Sequence, residues 1–249
     1  MTASSKTFKK NLSLKEIHFF RLLQNNSNFD MILFPEKVEH HTAYFPYINP
    51  GNLLGKDKRY WILAIQAIAK FHHYIKTEKI TFLIQDTPYL KSLENTLNYA
   101  AELNIELPMM QLEQLRKDYI LVEKNLQVIH GDFLAQNIMV MDEKIKIIDW
   151  EDMELGFPEH DVGRLLGDLN CIEPRWNKKY YPLEWHNSLA EEYLKHRLLL
   201  DSTYDIDTGR KMIHLGEMWN YLGPIEMSLM RKDLKSEWFL ANLKAFENS

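Results

Sequence analysis

The part of the sequence that decides the fold reads Val128-Ile129-His130-Gly131-Asp132-Phe133-Leu134-Ala135-Gln136-Asn137-Ile138-Met139-Val140, followed by Lys146-Ile147-Ile148-Asp149-Trp150-Glu151. An apolar pair leads into the polar cluster, and Asn137 follows Asp132 by five residues. The run from Ile145 to Ile148 is typical of a short strand and ends directly before Asp149. The sequence therefore predicts a polar loop that bears Asp132 and Asn137, followed by a strand that delivers Asp149.

The spacing H-G-D-x-x-x-x-N, and then I-D-W-E, is similar to the catalytic loop and metal-binding strand of kinases. With Gly131 where protein kinases have arginine, it resembles the aminoglycoside phosphotransferase and choline kinase-like family. Asp161 also fits, since the family carries a further Asp at the start of the next helix. The resemblance covers residues 6–170. It implies an α+β, two-lobed protein-kinase-like fold, with a small reduced β-sheet N-lobe at residues 1–49 and a large, mostly helical C-lobe at residues 50–249.

The resemblance also implies roles for these side chains and the cofactors ATP and Mg²⁺. Asp132 would be the catalytic residue at the acceptor hydroxyl. Asn137 and Asp149 would hold magnesium, which prefers oxygen ligands. His130 would support the loop, and Asp161 would cap its helix and could also anchor the loop.

The N-lobe assignments rest on order along the chain. A kinase lysine on a strand contacts the phosphates and pairs with a helix glutamate, so we assign Lys9 and Glu16 to these places. Lys6 and Lys10 compete with Lys9, and Glu16 could instead serve only in a capping box with Ser13. The runs 31–34 and 42–45 predict two further strands.

The segment after these strands would connect the lobes and hold adenine through the C=O of Pro46 and the N–H of Ile48. The sequence contains no G-x-G, and its first glycine is Gly51. It therefore departs from a kinase N-lobe that covers the phosphates with a Gly-rich loop. We expect either a reduced lobe or further residues upstream. A second copy or a partner could also complete it.

The acceptor is expected to be a small molecule, because only about ten residues, 152–161, replace a long activation segment. Glu151, Trp219 and Tyr221 are the predicted acceptor-binding residues, with contact to magnesium or exposure to solvent as the alternatives for Glu151. Aromatic faces beside carboxylates suit a cationic amine, although core packing is the alternative for each aromatic residue.

Composition narrows the class of protein. The 249 residues carry a formal net charge of −5 with scattered Lys and Arg, which argues against nucleic-acid binding. No run approaches the roughly 18 apolar residues of a membrane span, and the N-terminus lacks the apolar region of a secretory signal. The single cysteine, Cys171, fits a reducing, cytoplasmic location.

The sequence therefore predicts an ATP- and Mg²⁺-dependent kinase that phosphorylates a hydroxyl of an aminoglycoside, an amino alcohol or a sugar-like molecule. The alternative is a catalytically weak or inactive pseudokinase that binds a nucleotide or another ligand. The absent Gly-rich loop favours this alternative, whereas the presence of Asp132, Asn137 and Asp149 together opposes it.

Overall fold

The computed structural model describes residues 7–47, 51–75, 89–170 and 183–249. The N-terminal part contains β1 (Thr7–Asn11), α1 (Leu14–Leu23), β2 (Lys37–Glu39) and β3 (Thr42–Pro46). These strands form an antiparallel sheet in the order β1-β3-β2. Helix α1 begins at a complete capping box, in which Glu16 N donates to Ser13 Oγ and Ser13 N donates to the Glu16 carboxylate.

The strand predicted at residues 31–34 is not part of this sheet. The strand that pairs with β3 is Lys37–Glu39, because a tight turn with His40 in the left-handed region (φ 53°) joins the two directly. Residues Met31 and Leu33 instead exchange backbone hydrogen bonds with Ile147. This contact joins the N-terminal part to the rest of the molecule. The proposed lobe boundary near residue 49 stays a prediction.

The remainder of the described chain is mostly helical. Its helices are α2 (Lys58–Ile75), α3 (Tyr89–Leu103), α4 (Met109–Glu123), α5 (Glu159–Asn170), α6 (His186–Leu200), α7 (Ile206–Arg231) and α8 (Glu237–Glu247). Its strands are β4 (Gln127–Ile129), β5 (Ile138–Met141), β6 (Lys144–Ile147) and β7 (Glu154–Gly156). β4 pairs with β7 and β5 with β6, each antiparallel. The predicted small sheet and large helical part are confirmed.

Helices α5 and α7 approach each other very closely. A Cβ on Gly163 would lie 2.5 Å from the backbone of Gly216 and Glu217, and one on Gly216 would lie 2.9 Å from the Cα of His160. Glycine is required here because two helix backbones meet. The contact fixes α7 against α5, whose first turn contacts the loop of residues 130–137 through Asp161.

Two apolar clusters hold these elements. The first runs from α1 through the catalytic loop to α6 and includes Phe19, Phe71 and Trp150, and the second surrounds α7 and includes Leu222 and Phe239. No helix of the described ranges combines the length and the apolarity needed to cross a membrane.

Candidate active site

Gly131 shapes the loop between β4 and the polar cluster. Its φ is +80°, and a Cβ at this position would lie 2.2 Å from the carbonyl oxygen of Asp152. Both facts exclude a side chain, since the left-handed region is costly for residues with a Cβ. The loop can therefore pack directly on the segment that follows Asp149.

Asp161, in the first turn of α5, fixes the backbone of this loop. Its side chain is completely buried and accepts hydrogen bonds from the backbone N–H of His130 (2.8 Å) and Gly131 (2.9 Å), and from His72 Nε2 (2.9 Å). Burial opposes ionisation of Asp161, but the hydrogen bonds and charge interactions with His72 and His130 outweigh burial and lower its pKa. Burial also lowers the pKa of His72 and so favours the neutral ring. The sequence placed Asp161 at the N-cap of its helix, but α5 begins at Glu159, so that position was wrong. The side chain instead contacts the loop, which was the other predicted role.

His130 is a second support. Its Nε2 donates to the carbonyl oxygen of Ile148 (2.8 Å), and its Nδ1 accepts from the backbone N–H of Asp132 (3.2 Å). The ring also packs on Trp150, with centroids 4.5 Å apart. Both ring nitrogens are therefore used to hold the loop, as expected for a supporting residue.

Asn137 joins Asp132 to the residue that follows β6. The Nδ2 of Asn137 donates to the backbone carbonyl (2.9 Å) and to Oδ2 (2.8 Å) of Asp132. Ile148 N donates to the backbone carbonyl oxygen of Asn137 (2.9 Å). Because Nδ2 is used in this way, a metal ion could be held only through Oδ1 of Asn137. The polar residues predicted from spacing thus lie beside one another.

Asp149 lies two residues after the end of β6 and has a φ of +62°, a rare conformation for a residue other than glycine. The neighbouring Trp150 is buried and its Nε1 donates to Ile147 O (3.1 Å), which holds the turn. The Asp149 carboxylate lies 2.5 Å from Lys10 Nζ. Strained backbone of this kind often marks a functional residue.

Lys10, not Lys9, contacts Glu16. Lys10 Nζ lies 3.4 Å from Glu16, 3.0 Å from Glu151 and 2.5 Å from Asp149. Lys9 lies over the ring of Tyr44, 5.2 Å from its centroid. Successive strand residues point to opposite faces, so only one of the two lysines can reach the cleft. The pairing of Lys9 with Glu16 expected from chain order was wrong. Glu16 both caps α1 and contacts the strand lysine.

The charge on Lys10 is strongly favoured. Burial opposes it, but hydrogen bonds and charge interactions with Asp149 and Glu151 outweigh burial and raise its pKa. Three carboxylates therefore surround one ammonium group. Such a cluster can exchange partners when a polyphosphate and a divalent cation enter.

A cavity of about 270 Å³ opens beside this cluster. It is lined by charged Lys10, Glu16, Asp149 and Glu151 and by the apolar side chains of Phe8, Phe20, Leu33, Phe45, Ile148 and Trp150. Pro46 ends β3 directly after Phe45, opposite Thr7. The predicted adenine contact of Ile48 lies outside the described residues. An apolar wall with a charged end suits a base joined to phosphates.

A second cavity of about 270 Å³ lies beside the catalytic loop at Gly131. Its lining consists of Tyr89, Ser92, Gly131, Asp152, Glu154, His160, Arg164, Trp219 and Gly223. Trp219 was predicted here. Tyr221 is only 2% exposed within the core, so its predicted placement in the acceptor pocket was wrong. Glu151 does not line this cavity; it contacts Lys10 beside Asp149 and so lies where the alternative contact with a metal ion would place it. The sequence reasoning missed Tyr89, Glu154 and Arg164.

Glu154 has an unusual environment in this second cavity. Burial and the charge of Asp161 raise its pKa to about 8, whereas burial lowers the pKa of the neighbouring His160 to about 4. At neutral pH both groups are therefore mostly uncharged. The Glu154 carboxyl is then able to donate a hydrogen bond, which a carboxylate cannot do.

Glu154→Gln is therefore expected to stabilise the protein at pH 7.5 and to have little effect at pH 4.5. The unfolded chain ionises this group above its ordinary pKa of 4.5, while the folded protein keeps it protonated up to about 8, so wild-type stability is lost as pH rises through this window. We expect a gain of up to about 4 kcal/mol in urea unfolding at pH 7.5, from about 1.4 kcal/mol for each of the roughly three pH units above the unfolded pKa. Glu94→Gln, at an exposed position, is the control. An equal change at both pH values would refute the explanation.

The donor set near the loop fits magnesium. Within the described ranges, no three His, Cys, Asp or Glu side chains group as a metal site. Magnesium, however, is usually held by one or two carboxylates together with substrate phosphates and water. Asp149 and the Oδ1 of Asn137 are hard oxygen ligands of the required kind.

Known structures with the same fold were found across almost the entire chain. The spectinomycin phosphotransferase in an AMP-bound complex is 16% identical over 99% of this chain and 84% of its own, with a TM-score of 0.65. An amicoumacin kinase in complex with AMP-PNP and Ca²⁺ is 13% identical over 94% and 77%, with a TM-score of 0.65. The Plasmodium vivax ethanolamine kinase is 12% identical over 100% and 76%, with a TM-score of 0.62. A search of curated proteins gave no match.

The fold and the arrangement of the catalytic loop define a protein-kinase-like phosphotransferase of the small-molecule class. The profile of the phosphotransferase enzyme family (APH) matches residues 16–205. The chain belongs to this family, and the resemblance predicted from the polar loop is confirmed.

Proposed function

We propose that the protein transfers the γ-phosphate of ATP, with Mg²⁺, to a hydroxyl of a small molecule. The observation that carries the proposal is that the Lys10–Asp149 ion pair lines one cavity, while a second cavity is lined by Gly131 and by Arg164, which binds Asp132. A nucleotide and an acceptor could thus occupy separate cavities.

The residues would divide the work by charge. Lys10 would neutralise the nucleotide phosphates, and Asn137 and Asp149 would hold the metal. Magnesium, when bound, would neutralise charge on the phosphates. Asp132 would orient the acceptor hydroxyl and take its proton, and the fixed loop would keep this carboxylate in place.

The second cavity supports an acceptor of modest size with an amine. Its wall combines the aromatic faces of Tyr89 and Trp219 with the acidic groups of Asp152 and Glu154. Aromatic faces attract cations, and the charge of an ammonium group beside Glu154 would favour release of the Glu154 proton to solvent. Spectinomycin, amicoumacin and ethanolamine, named for the similar structures, suggest the range of hydroxyl compounds to screen. ATP as donor agrees with the predicted cytoplasmic location.

A pseudokinase is the second candidate, favoured by one observation. β1 is an edge strand in the order β1-β3-β2, and no strand of the described residues covers its other edge. A Gly-rich hairpin would lie at this edge in a complete kinase lobe. A second copy of the chain or a partner could cover this edge of β1. The mass in solution with and without nucleotide would test whether such an assembly forms.

Lys10→Met is expected to abolish stabilisation by nucleotide. A ligand at about 100 times its Kd adds about 2.7 kcal/mol, or roughly 5–10 °C in Tm for a chain of this size. We expect this shift with Mg²⁺ and AMP-PNP for the wild type but not for Lys10→Met. Lys9→Met is the matched control, since Lys9 lies on the opposite face of the same strand. Equal shifts in both variants would remove Lys10 from the nucleotide site.

Catalysis is tested separately from binding. ADP release is measured with a panel of amino sugars, amino alcohols and sugars. Acceptor-dependent release supports the kinase, whereas nucleotide stabilisation without turnover on any acceptor supports the pseudokinase.

A further inference from the structure

Arg164 contacts the carboxylate that the proposed function assigns to catalysis. Its Nε and Nη2 donate to Asp132 Oδ1 at 2.9 Å and 2.5 Å. Both side chains are largely shielded, with 28% of Arg164 and 20% of Asp132 exposed. Charge-assisted bonds from a planar guanidinium are among the stronger and more directional contacts in proteins. This contact therefore defines the orientation of Asp132.

The other end of Arg164 is fixed as well. Its Nη1 donates to Asn220 Oδ1 on α7 at 3.1 Å. Arg164 follows Gly163, where α5 and α7 come closest, so the glycine contact brings Asn220 within reach. The guanidinium is thus held by a helix that does not belong to the catalytic loop.

Each oxygen of Asp132 has its own donor. Arg164 holds Oδ1, and Asn137 holds Oδ2 at 2.8 Å. With donors at both oxygens, the plane of the carboxylate is set. A carboxylate accepts about four hydrogen bonds, so Asp132 can still accept one from an acceptor hydroxyl. The neighbouring Asp152 would repel Asp132 if the guanidinium were removed.

We propose that Arg164, braced by Asn220, is a positioning residue that orients Asp132 toward the acceptor hydroxyl. This inference rests on the proposed function. Arg164 acts through Asp132, and it does not take part in nucleotide binding at Lys10 and Asp149. Removal of the Arg164 side chain should therefore slow phosphoryl transfer without weakening the binding of the nucleotide.

A double-mutant cycle tests the proposal. Arg164→Gln is expected to lower kcat by about 10–100-fold, less than the roughly 10²–10⁴-fold of a general base itself, because Arg164 only orients that base. Arg164→Lys should recover part of the loss. Asn220→Ala should give a smaller loss in the same direction. In an Asp132→Asn background, Arg164→Gln should change the remaining rate by less than about twofold, because groups that act as a unit are not additive. An equal loss in both backgrounds would overturn the proposal.

Two measurements separate this proposal from simple structural damage and from failure of the proposed function. The Tm shift with Mg²⁺ and AMP-PNP should be retained in Arg164→Gln, and its loss would contradict the proposal. The Tm losses of Arg164→Gln and Asp132→Asn should not add in the double variant, since the two side chains are in contact. This second cycle needs no acceptor. Additive Tm losses would therefore contradict an energetic coupling between Arg164 and Asp132, whether or not the protein is a kinase. Absence of turnover on every acceptor would instead contradict the proposed kinase activity. Arg210→Gln, an exposed arginine on α7, is the control.

Discussion

Asp132→Asn is expected to reduce phosphotransfer by about 10²-fold or more, within the range of general-base contributions. The amide keeps the shape of the side chain but cannot take the proton of the acceptor hydroxyl. It also places an N–H donor where Arg164 or Asn137 already donates. The loop itself should persist, because Asp161 holds its backbone through His130 and Gly131.

The measurement is kcat and KM for an acceptor found in the screen, at saturating Mg²⁺ and ATP. Nucleotide stabilisation provides the internal control, since Lys10 and Asp149 are untouched. Asp152→Asn is a matched comparison, because Asp152 lines the second cavity beside Gly131 and Arg164 but is not assigned to proton transfer. If Asp132→Asn retains a near wild-type rate while Asp152→Asn loses it, the base has been assigned to the wrong carboxylate.

Much of the catalytic loop could be predicted because its residues are close in sequence. Asp132 and Asn137 are five residues apart, and the order of loop and strand determines where Asp149 follows. The choice among the lysines could not be made in this way. Lys9 and Lys10 are adjacent on a short polar strand, and only the register against β3 shows which one enters the cleft.

The acceptor side was harder for a related reason. Trp219 and Tyr221 are two residues apart on α7, and residues at that spacing lie on different helix faces. One lines the cavity, and the other is in the core. A usable signal existed for Arg164, which is three residues after Asp161 and so lies close to the same face of α5. A cation one turn beyond the anchor of the catalytic loop was a candidate partner for Asp132.

Asp161→Ala is expected to have the largest effect on stability. The substitution leaves three buried donors without an acceptor: the N–H groups of His130 and Gly131, and Nε2 of His72. Each unsatisfied buried group costs about 1–3 kcal/mol, and a broken buried polar pair costs about 3–5 kcal/mol. We therefore expect a loss of about 3–5 kcal/mol in urea unfolding, or roughly 10 °C in Tm.

The contribution of Asp161 to stability changes with pH in a defined direction. The pKa of Asp161 is lowered from 3.8, so its contribution is fully present above pH 3.8 and is lost as pH falls through the lower, folded-state value. Asp161 also raises the pKa of Glu154, so the comparison is made in a Glu154→Gln background. The loss caused by Asp161→Ala should then stay nearly constant from pH 7 to pH 8 and be smallest in strong acid. Asp207→Ala, in the first turn of α7 with its side chain 93% exposed, is the matched control. A loss below about 1 kcal/mol, the size of a single ordinary hydrogen bond, would show that Asp161 does not hold the catalytic loop.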